Sequence, residues 1–234
     1  MSFDSIRLIT FDCYGTLIDW ESGMLAALRP LFSRDGHRVS DLQILELYGE
    51  IEAELESGPY LLYREILSRT AQEMGRLLDI EVSAEESNAF AQSLTCWKPF
   101  SDTVPALQAL AKRSRLKIIS NVDDDLFAET RKKLASVEFD VVVTAQQMQS
   151  YKPAQRNFEK AIRRSGLSKD RILHAGQSLY HDIAPANALS IRNVWVNRPS
   201  IRPGSGAAKR GSATPDYEVR SLAALAELLN ATVS

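Results

Sequence analysis

The 234-residue sequence is poor in cysteine and nearly neutral. Cys13 and Cys96 are its two cysteines, too few for a disulfide framework, and nothing places them together. That excludes a disulfide-stapled scaffold and makes a reduced, cytoplasmic setting the expectation. A formal net charge of -2 gives no electrostatic case for nucleic acid or for an acidic membrane surface. No apolar run approaches the length of a membrane span. The opening residues, MSFDSIRLITFD, lack a basic stretch followed by an apolar core and a small-residue cleavage site, so no secretion signal is expected. No internal repeat is visible. What remains is ordinary globular composition, 44% hydrophobic and 25% charged, in a chain long enough for one large domain or a core with a smaller partner.

The pattern of elements sorts the chain into two kinds. IRLITF (Ile6 to Phe11) is a short isoleucine-rich run and reads as a buried strand. From Glu21 to Leu94 the period becomes helical, with no strand candidate. Ser40 and Gln43 suit a capping box, and Leu45, Tyr48 and Leu55 share a face. SGPY (Ser57 to Tyr60) breaks the pattern, Leu62, Ile66, Leu67, Met74 and Leu78 resume it, and Ser83 with Glu86 starts another helix. After Phe100 helices alternate with short β-branched runs: RLKIIS, FDVVV, RILHA and NVWVN. Such alternation means βαβ units and a parallel sheet. The expected fold is therefore α/β, a Rossmann-like doubly wound parallel sheet with an inserted all-helical segment. The expected division is core over 1–18, helical insertion over 19–98, and the rest of the core over 99–234. The Gly-, Pro- and Ser-rich stretch from Arg198 to Asp216 reads as a mobile surface loop, and SLAALAELL as a closing helix.

In open parallel α/β sheets ligands bind beyond the carboxyl ends of the strands, so those ends are where chemistry is expected. The first strand runs into Asp12, the second into Ser120 and Asn121, the third by a loop into SYKP with Lys152, and the fourth into GQSLYHD with Asp182. Each has a plain alternative. Asp12 and Asp182 suit caps, Ser120 and Asn121 suit turns, and Lys152 suits a solvated surface. Two carboxylates, a cation and hydrogen-bond donors converging on one sheet edge nonetheless make a candidate site.

These four segments, FDCYGTL, ISN, YKP and GQSLYHD, resemble the four motifs of the haloacid dehalogenase superfamily in type, order and spacing. The resemblance covers nearly the whole chain and makes the helical insertion a cap. It lies nearest the type II (L-2-haloacid) dehalogenase branch, and FDCYGTLIDWESG with SLYHD also resembles azetidine-2-carboxylate hydrolase. The roles implied are Asp12 as nucleophile and Lys152 as the cation that keeps it ionised. Ser120 and Asn121 become donors to the substrate carboxylate or ester oxygen, and Asp182 the residue that orients Lys152 and activates water. Gly15 suits a tight turn with backbone N–H groups toward the ligand. Tyr14, Thr16, Ser178 and His181 are expected on the substrate side, Thr16 also bonding Asp12.

The superfamily is mostly phosphatases, which use a second aspartate two places after the nucleophile and an acidic residue after the glycine of the fourth motif. Those places hold Tyr14 and Gln177. Tyrosine is a poor acid for an alkoxide at neutral pH, and an amide is a weak ligand for magnesium. Magnesium is therefore not expected, no metal ligands are assigned, and the leaving group should need neither acid nor metal, as a halide or a strained ring amine does. The expected substrate is a small 2-substituted carboxylic acid, foremost a 2-haloacid, with a cyclic imino acid or a phosphate ester as alternatives. A non-enzymatic scaffold is the alternative of a different class, and loss of catalysis in Asp12→Asn would separate the two. One departure stands out. Family members hold the halide with an arginine early in the cap, and SDLQILELYGEIEAELE has none. Arg34, Arg38 and Arg64 are the nearest. Trp20, Tyr48, Tyr60, Tyr63 and Trp97 are candidate pocket walls. His174 is expected to be structural, Cys13 a small core residue, and a homodimer is among the expectations, because a helical cap offers an apolar face to a second subunit.

Overall fold

The computed structural model describes residues 3–34 and 36–230. Six short strands form the core: β1 (Leu8–Phe11), β2 (Arg115–Ser120), β3 (Val141–Thr144), β4 (Ile172–Gly176), β5 (Arg192–Val196) and β6 (Tyr217–Val219). All pair in parallel, in the order β3-β2-β1-β4-β5-β6. This is the doubly wound arrangement the alternation predicted, with its topological switch at β1, the first strand in sequence and a central one in space. The sequence reading had no strand at Tyr217–Val219; its three residues are too few to show a period.

Alternation along β1 explains why both faces are covered. Leu8 packs with Ile119, Val143, Phe158 and Ile172 on one side. Ile9 and Phe11 point to the other, where they join a larger cluster that runs into the helical insertion through Leu45, Ile66 and Phe90. The core helices are α5 (Thr103–Ala111), α6 (Asp124–Lys133), α7 (Ala145–Met148), α8 (Gln155–Arg163), α9 (Ala184–Ala188) and α10 (Leu222–Leu228).

The insertion is helical throughout: α1 (Trp20–Phe32), α2 (Asp41–Ser57), α3 (Tyr63–Leu78) and α4 (Ala84–Ser93). Ser40 with Gln43 and Ser83 with Glu86 form the two reciprocal capping boxes that the spacing predicted. Buried polar contacts fix it to the core. Asp123 accepts from the backbone N–H of Tyr63 (2.7 Å) and Arg64 (3.1 Å), satisfying two otherwise orphaned donors at the start of α3. Tyr151 donates to Leu61 O (2.7 Å) and Lys133 to Trp97 O (2.5 Å). No helix among the described residues is long and apolar enough to cross a membrane.

The segment from Arg198 to Asp216 departs from its expected role as a mobile surface loop. Its first part is a strap folded against both the core and α2. Arg198, Arg202, Ser205, Ala207 and Ala208 are buried. Two arginines supply the donors that irregular backbone needs when it leaves water. Arg198 pairs with Asp102 (2.8 Å) and lies 4.0 Å over the Phe100 ring, while Arg202 donates to Gly206 O (3.1 Å) and Ala208 O (2.8 Å). Gly49 of α2 is small enough to let the strap approach: a Cβ there would meet Ala207 O at 2.5 Å.

Candidate active site

The switch point delivers Asp12. Its backbone N–H donates to Ala175 O (3.0 Å), carrying the β1–β4 ladder one residue past the strand and aiming the side chain at the sheet edge. Asp12 Oδ2 accepts from Thr16 Oγ1 (2.7 Å), and Oδ1 accepts from Lys152 Nζ (2.7 Å). Lys152 also donates to Asp182 Oδ1 (2.6 Å), so one ammonium bridges two carboxylates. Asp182 is held from three further directions. Ser178 N donates to Oδ2 (3.2 Å), His174 Nε2 lies 3.3 Å from Oδ1, and Gly176 leaves it room, since a Cβ there would stand 2.5 Å from the Asp182 Cβ.

Charge follows from this geometry. Burial lowers the Lys152 pKa, but its two carboxylates more than offset that and hold it well above the usual lysine range, so it is charged throughout. Burial raises Asp182, but Lys152 and His174 together hold it well below the usual carboxylate range. That makes it a firm anchor and a weak base. Burial is also the largest influence on Asp12 and raises it, with Asp182 adding and Lys152 opposing.

Other expected residues divide into those that line the cavity freely and those committed elsewhere. Ser120 Oγ is buried, lines the cavity and has no hydrogen-bond partner. Tyr14 lines it too, its hydroxyl 2.8 Å from Thr130 Oγ1 and its pKa pushed well up by burial, so it stays neutral. Thr16 is fully buried behind Asp12 and receives Gln177 N (2.9 Å), a positioning rather than a substrate-facing place. Gly15 adopts φ +90°, as a tight turn requires, but its N–H goes to Ile18 O (2.8 Å) and not toward a ligand. Asn121 likewise differs from expectation. Its amide accepts from Lys152 N (2.7 Å) and donates to Lys152 O (3.2 Å) and to both oxygens of Glu56 (3.1 Å), leaving no donor for substrate.

His181 belongs to a one-turn π-helix, Leu179–Ile183, that Ser178 caps, an irregularity often found at functional sites. The Ser178 hydroxyl accepts from His181 N (3.0 Å) and lies 3.2 Å from His181 Nδ1. The other ring nitrogen, Nε2, lies 3.4 Å from Glu56 Oε2 and has no hydrogen-bond partner among the described residues. Burial lowers the His181 pKa. His174, expected to be only structural, touches Asp182 through one nitrogen and Thr10 Oγ1 (2.9 Å) through the other, because Thr10 and His174 are register partners across β1 and β4. Cys13 is buried and outside the cavity.

Two residues escaped the sequence reading altogether. Glu52 and Glu56, one turn apart on α2, are buried and line the cavity above Asp12. Tyr48 (2.7 Å) and Tyr63 (2.6 Å) donate to Glu52 Oε1. Burial raises both carboxyls, Glu52 to about 7 and Glu56 to about 8. The signal was present: Glu52 follows Tyr48 by one turn on the apolar stripe. None of Arg34, Arg38 and Arg64 lines the cavity; Arg34 pairs with Glu86, and Arg64 with Asp123 and Asp125. Of the aromatic candidates, Trp20 and Tyr63 line it, while Tyr60 faces a neighbouring cavity and Trp97 packs edge-on to Tyr14. The enclosed space is about 30 Å³, room for roughly two waters, so floor and roof meet closely.

A magnesium ion does not suit this donor set. Lys152 Nζ already lies between the Asp12 and Asp182 carboxylates, and the Gln177 amide donates to Ser205 O (2.9 Å) in the strap.

Comparison with known proteins places the chain in a family. The model of the haloacid dehalogenase-like hydrolases matches residues 6–189. An (S)-2-haloacid dehalogenase from Pseudomonas sp. (strain YL) is 26% identical over 227 residues, covering 96% of this chain and 95% of that one. The rhythmically expressed gene 2 protein of Drosophila melanogaster is also 26% identical, covering 85% and 86%. Among solved structures, the L-2-haloacid dehalogenase from Xanthobacter autotrophicus with chloropropionic acid covalently bound superposes with a TM-score of 0.79 at 19% identity, covering 96% and 98%. The chain belongs to the haloacid dehalogenase-like hydrolase family.

Proposed function

We propose that the protein displaces the C2 substituent of a small 2-substituted carboxylic acid through an aspartyl ester on Asp12, in the manner of a 2-haloacid dehalogenase. The observation that carries this is Lys152 Nζ lodged between Asp12 and Asp182, at 2.7 and 2.6 Å. It leaves Asp12 a charged, oriented nucleophile and leaves no place for a leaving-group acid on the sheet edge. Asp12 attacks C2, its substituent leaves, and the ester is cut by water held beside Asp182. Ser120 Oγ, buried without a partner, is the donor available to the substrate carboxylate. The helical insertion acts as the cap that closes over this step.

The names of the relatives point to a halide as the leaving group. A second reading, ring opening of a strained cyclic imino acid such as azetidine-2-carboxylate, is favoured by the two buried glutamates in the roof, where a halide would want a cation. Phosphate esters fit least, since Tyr14 is held neutral far above its ordinary pKa and Gln177 is bound to the strap.

A single turnover in heavy-oxygen water tests the route. Label should enter the Asp12 side chain and be absent from product, and chelator should leave the rate unchanged. Label found directly in first-turnover product would make water the attacking group. A magnesium-dependent rate on phosphate esters would return the chain to the phosphatases.

A further inference from the structure

We infer that Glu52 and Glu56 form an ammonium site in the roof, and that Glu56 supplies the proton to a departing amine nitrogen at C2 of the substrate. This inference rests on the aspartyl-ester reading and names its leaving group. The two side chains share one face of α2 and open into the cavity that holds Asp12. Beside them Ser120, which lines the same cavity, has a buried hydroxyl with no hydrogen-bond partner among the described residues, as a group awaiting a ligand does, and His181 Nε2, facing Glu56 Oε2 at 3.4 Å, is likewise unpartnered.

The charges facing the cavity decide which ligand. Asp12 and Asp182 are met by Lys152. Among the described residues no lysine or arginine contacts Glu52 or Glu56; Lys152 pulls on Glu56 only from its place between the floor carboxylates, and the groups beside the pair are Tyr48 and Tyr63 on Glu52 and Asn121 and His181 on Glu56. The two tyrosine hydroxyls donate to Glu52 Oε1 and favour its ionised form. Glu56, with the higher pKa of about 8, keeps its proton near neutral pH. One carboxylate beside one carboxylic acid suits a substrate bearing a protonated nitrogen at C2, and repels a departing halide.

The step balances. Asp12 forms a C–O bond to C2 as the C2–N bond breaks, and the electron pair of that bond stays on nitrogen. The ring ammonium thus becomes a free amine still tethered to the substrate. Glu56 gives its proton to that amine, which removes the lone pair that would otherwise reattack the ester, and Glu52 balances the resulting positive charge. Water then cleaves the ester and yields a 2-hydroxy acid with a free amino group. Only a strained ring makes nitrogen a competent leaving group without metal, so the substrate class is small cyclic 2-imino acids.

The test compares azetidine-2-carboxylate with 2-chloropropionate in wild type and Glu56→Gln, with thermal melts confirming folding. In the variant, the ratio of kcat/KM for the ring substrate to that for the halide should fall by about 10²-fold. The fall of the wild-type ring-opening rate above about pH 8 should disappear with it. An unchanged ratio would overturn the inference. So would a wild type that consumes 2-chloropropionate with label in Asp12 yet leaves azetidine-2-carboxylate intact; the aspartyl ester would then stand without the ammonium site. Turnover of neither compound would overturn both readings together.

Discussion

The floor and the roof of the cavity hold their charges differently. On the floor, Lys152 lies within 2.7 Å of both Asp12 and Asp182, and its own pKa is driven further from neutrality. In the roof, Glu52 and Glu56 are drawn toward neutrality, to about 7 and about 8, because burial outweighs the more distant pull of Lys152 on Glu56 and of His181 on Glu52. The floor therefore carries a permanent cation and a permanent carboxylate, Lys152 and Asp182, and Lys152 opposes the burial that raises Asp12, which suits a nucleophile that must stay ionised. The roof carries a proton that comes and goes near physiological pH, which suits a group that answers to what is bound.

The hardest way to break the floor is to remove its cation. Lys152→Ala should lower kcat/KM by about 10³-fold, the scale of losing an aligned electrostatic contact in a dry site. Without the ammonium, the Asp12 pKa rises further, so the acid limb of the pH–rate profile should move to higher pH. A retained rate with an unmoved profile would place Lys152 outside the chemistry.

A milder break displaces Asp182 without changing any charge. Gly176 lies in β4, whose backbone is fixed by pairing with both β1 and β5, and an added Cβ would stand 2.5 Å from Asp182. Gly176→Ala must therefore push Asp182 aside by a few tenths of an ångström or more, and should cost about 10²-fold in turnover. Because Asp182 serves the water step, the aspartyl ester should accumulate and appear as added mass on the protein. Equal slowing of ester formation and hydrolysis would show that Asp182 acts through Lys152 alone.

The floor was legible in the sequence because strand ends are. Once the βαβ alternation is recognised, Asp12, Ser120 and Asp182 follow from where apolar runs stop, and the turn after β1 from Gly15. The roof was not. Glu52 and Glu56 sit in a helix full of acids, where a buried glutamate and a solvated one differ only in angular position. Tyr48, one turn before Glu52 on the apolar stripe, was the cue that one of those acids faces inward. Composition misled at the strap: the stretch from Arg198 to Asp216 read as a mobile surface loop, yet Arg198 and Arg202 carry the donors that let its irregular backbone be buried. Asn121 was found in the right place with the wrong task, because sequence gives position and not which partner an amide chooses. His174 was hidden by its strand, since contact with Asp182 depends on the π-turn that follows.

The finest test of the contrast is thermodynamic and needs no substrate. Glu52 and Glu56 have folded pKa values raised from an ordinary 4.5, so between about pH 4.5 and 8 the folded protein holds protons that the unfolded chain has released. Stability from these groups is therefore present at the acid end of that window and lost as pH rises through it. Glu52→Gln/Glu56→Gln removes the titration while keeping hydrogen-bonding amides in place. Relative to wild type, the double variant should gain several kcal/mol, up to about 7, between pH 5 and pH 8.5, read from urea unfolding at the two pH values. His181, whose folded pKa is lowered, acts with the opposite sign, and because Glu52 helps to hold it up, the variant lowers it further and adds to the gain in the same direction. Asp182, held low, contributes stability that is lost only at far more acid pH, outside the window. Wild-type and variant stabilities that run parallel from pH 5 to 8.5 would mean that both glutamates are already ionised at neutral pH. The roof would then be as fixed in charge as the floor, with nothing to give a departing nitrogen.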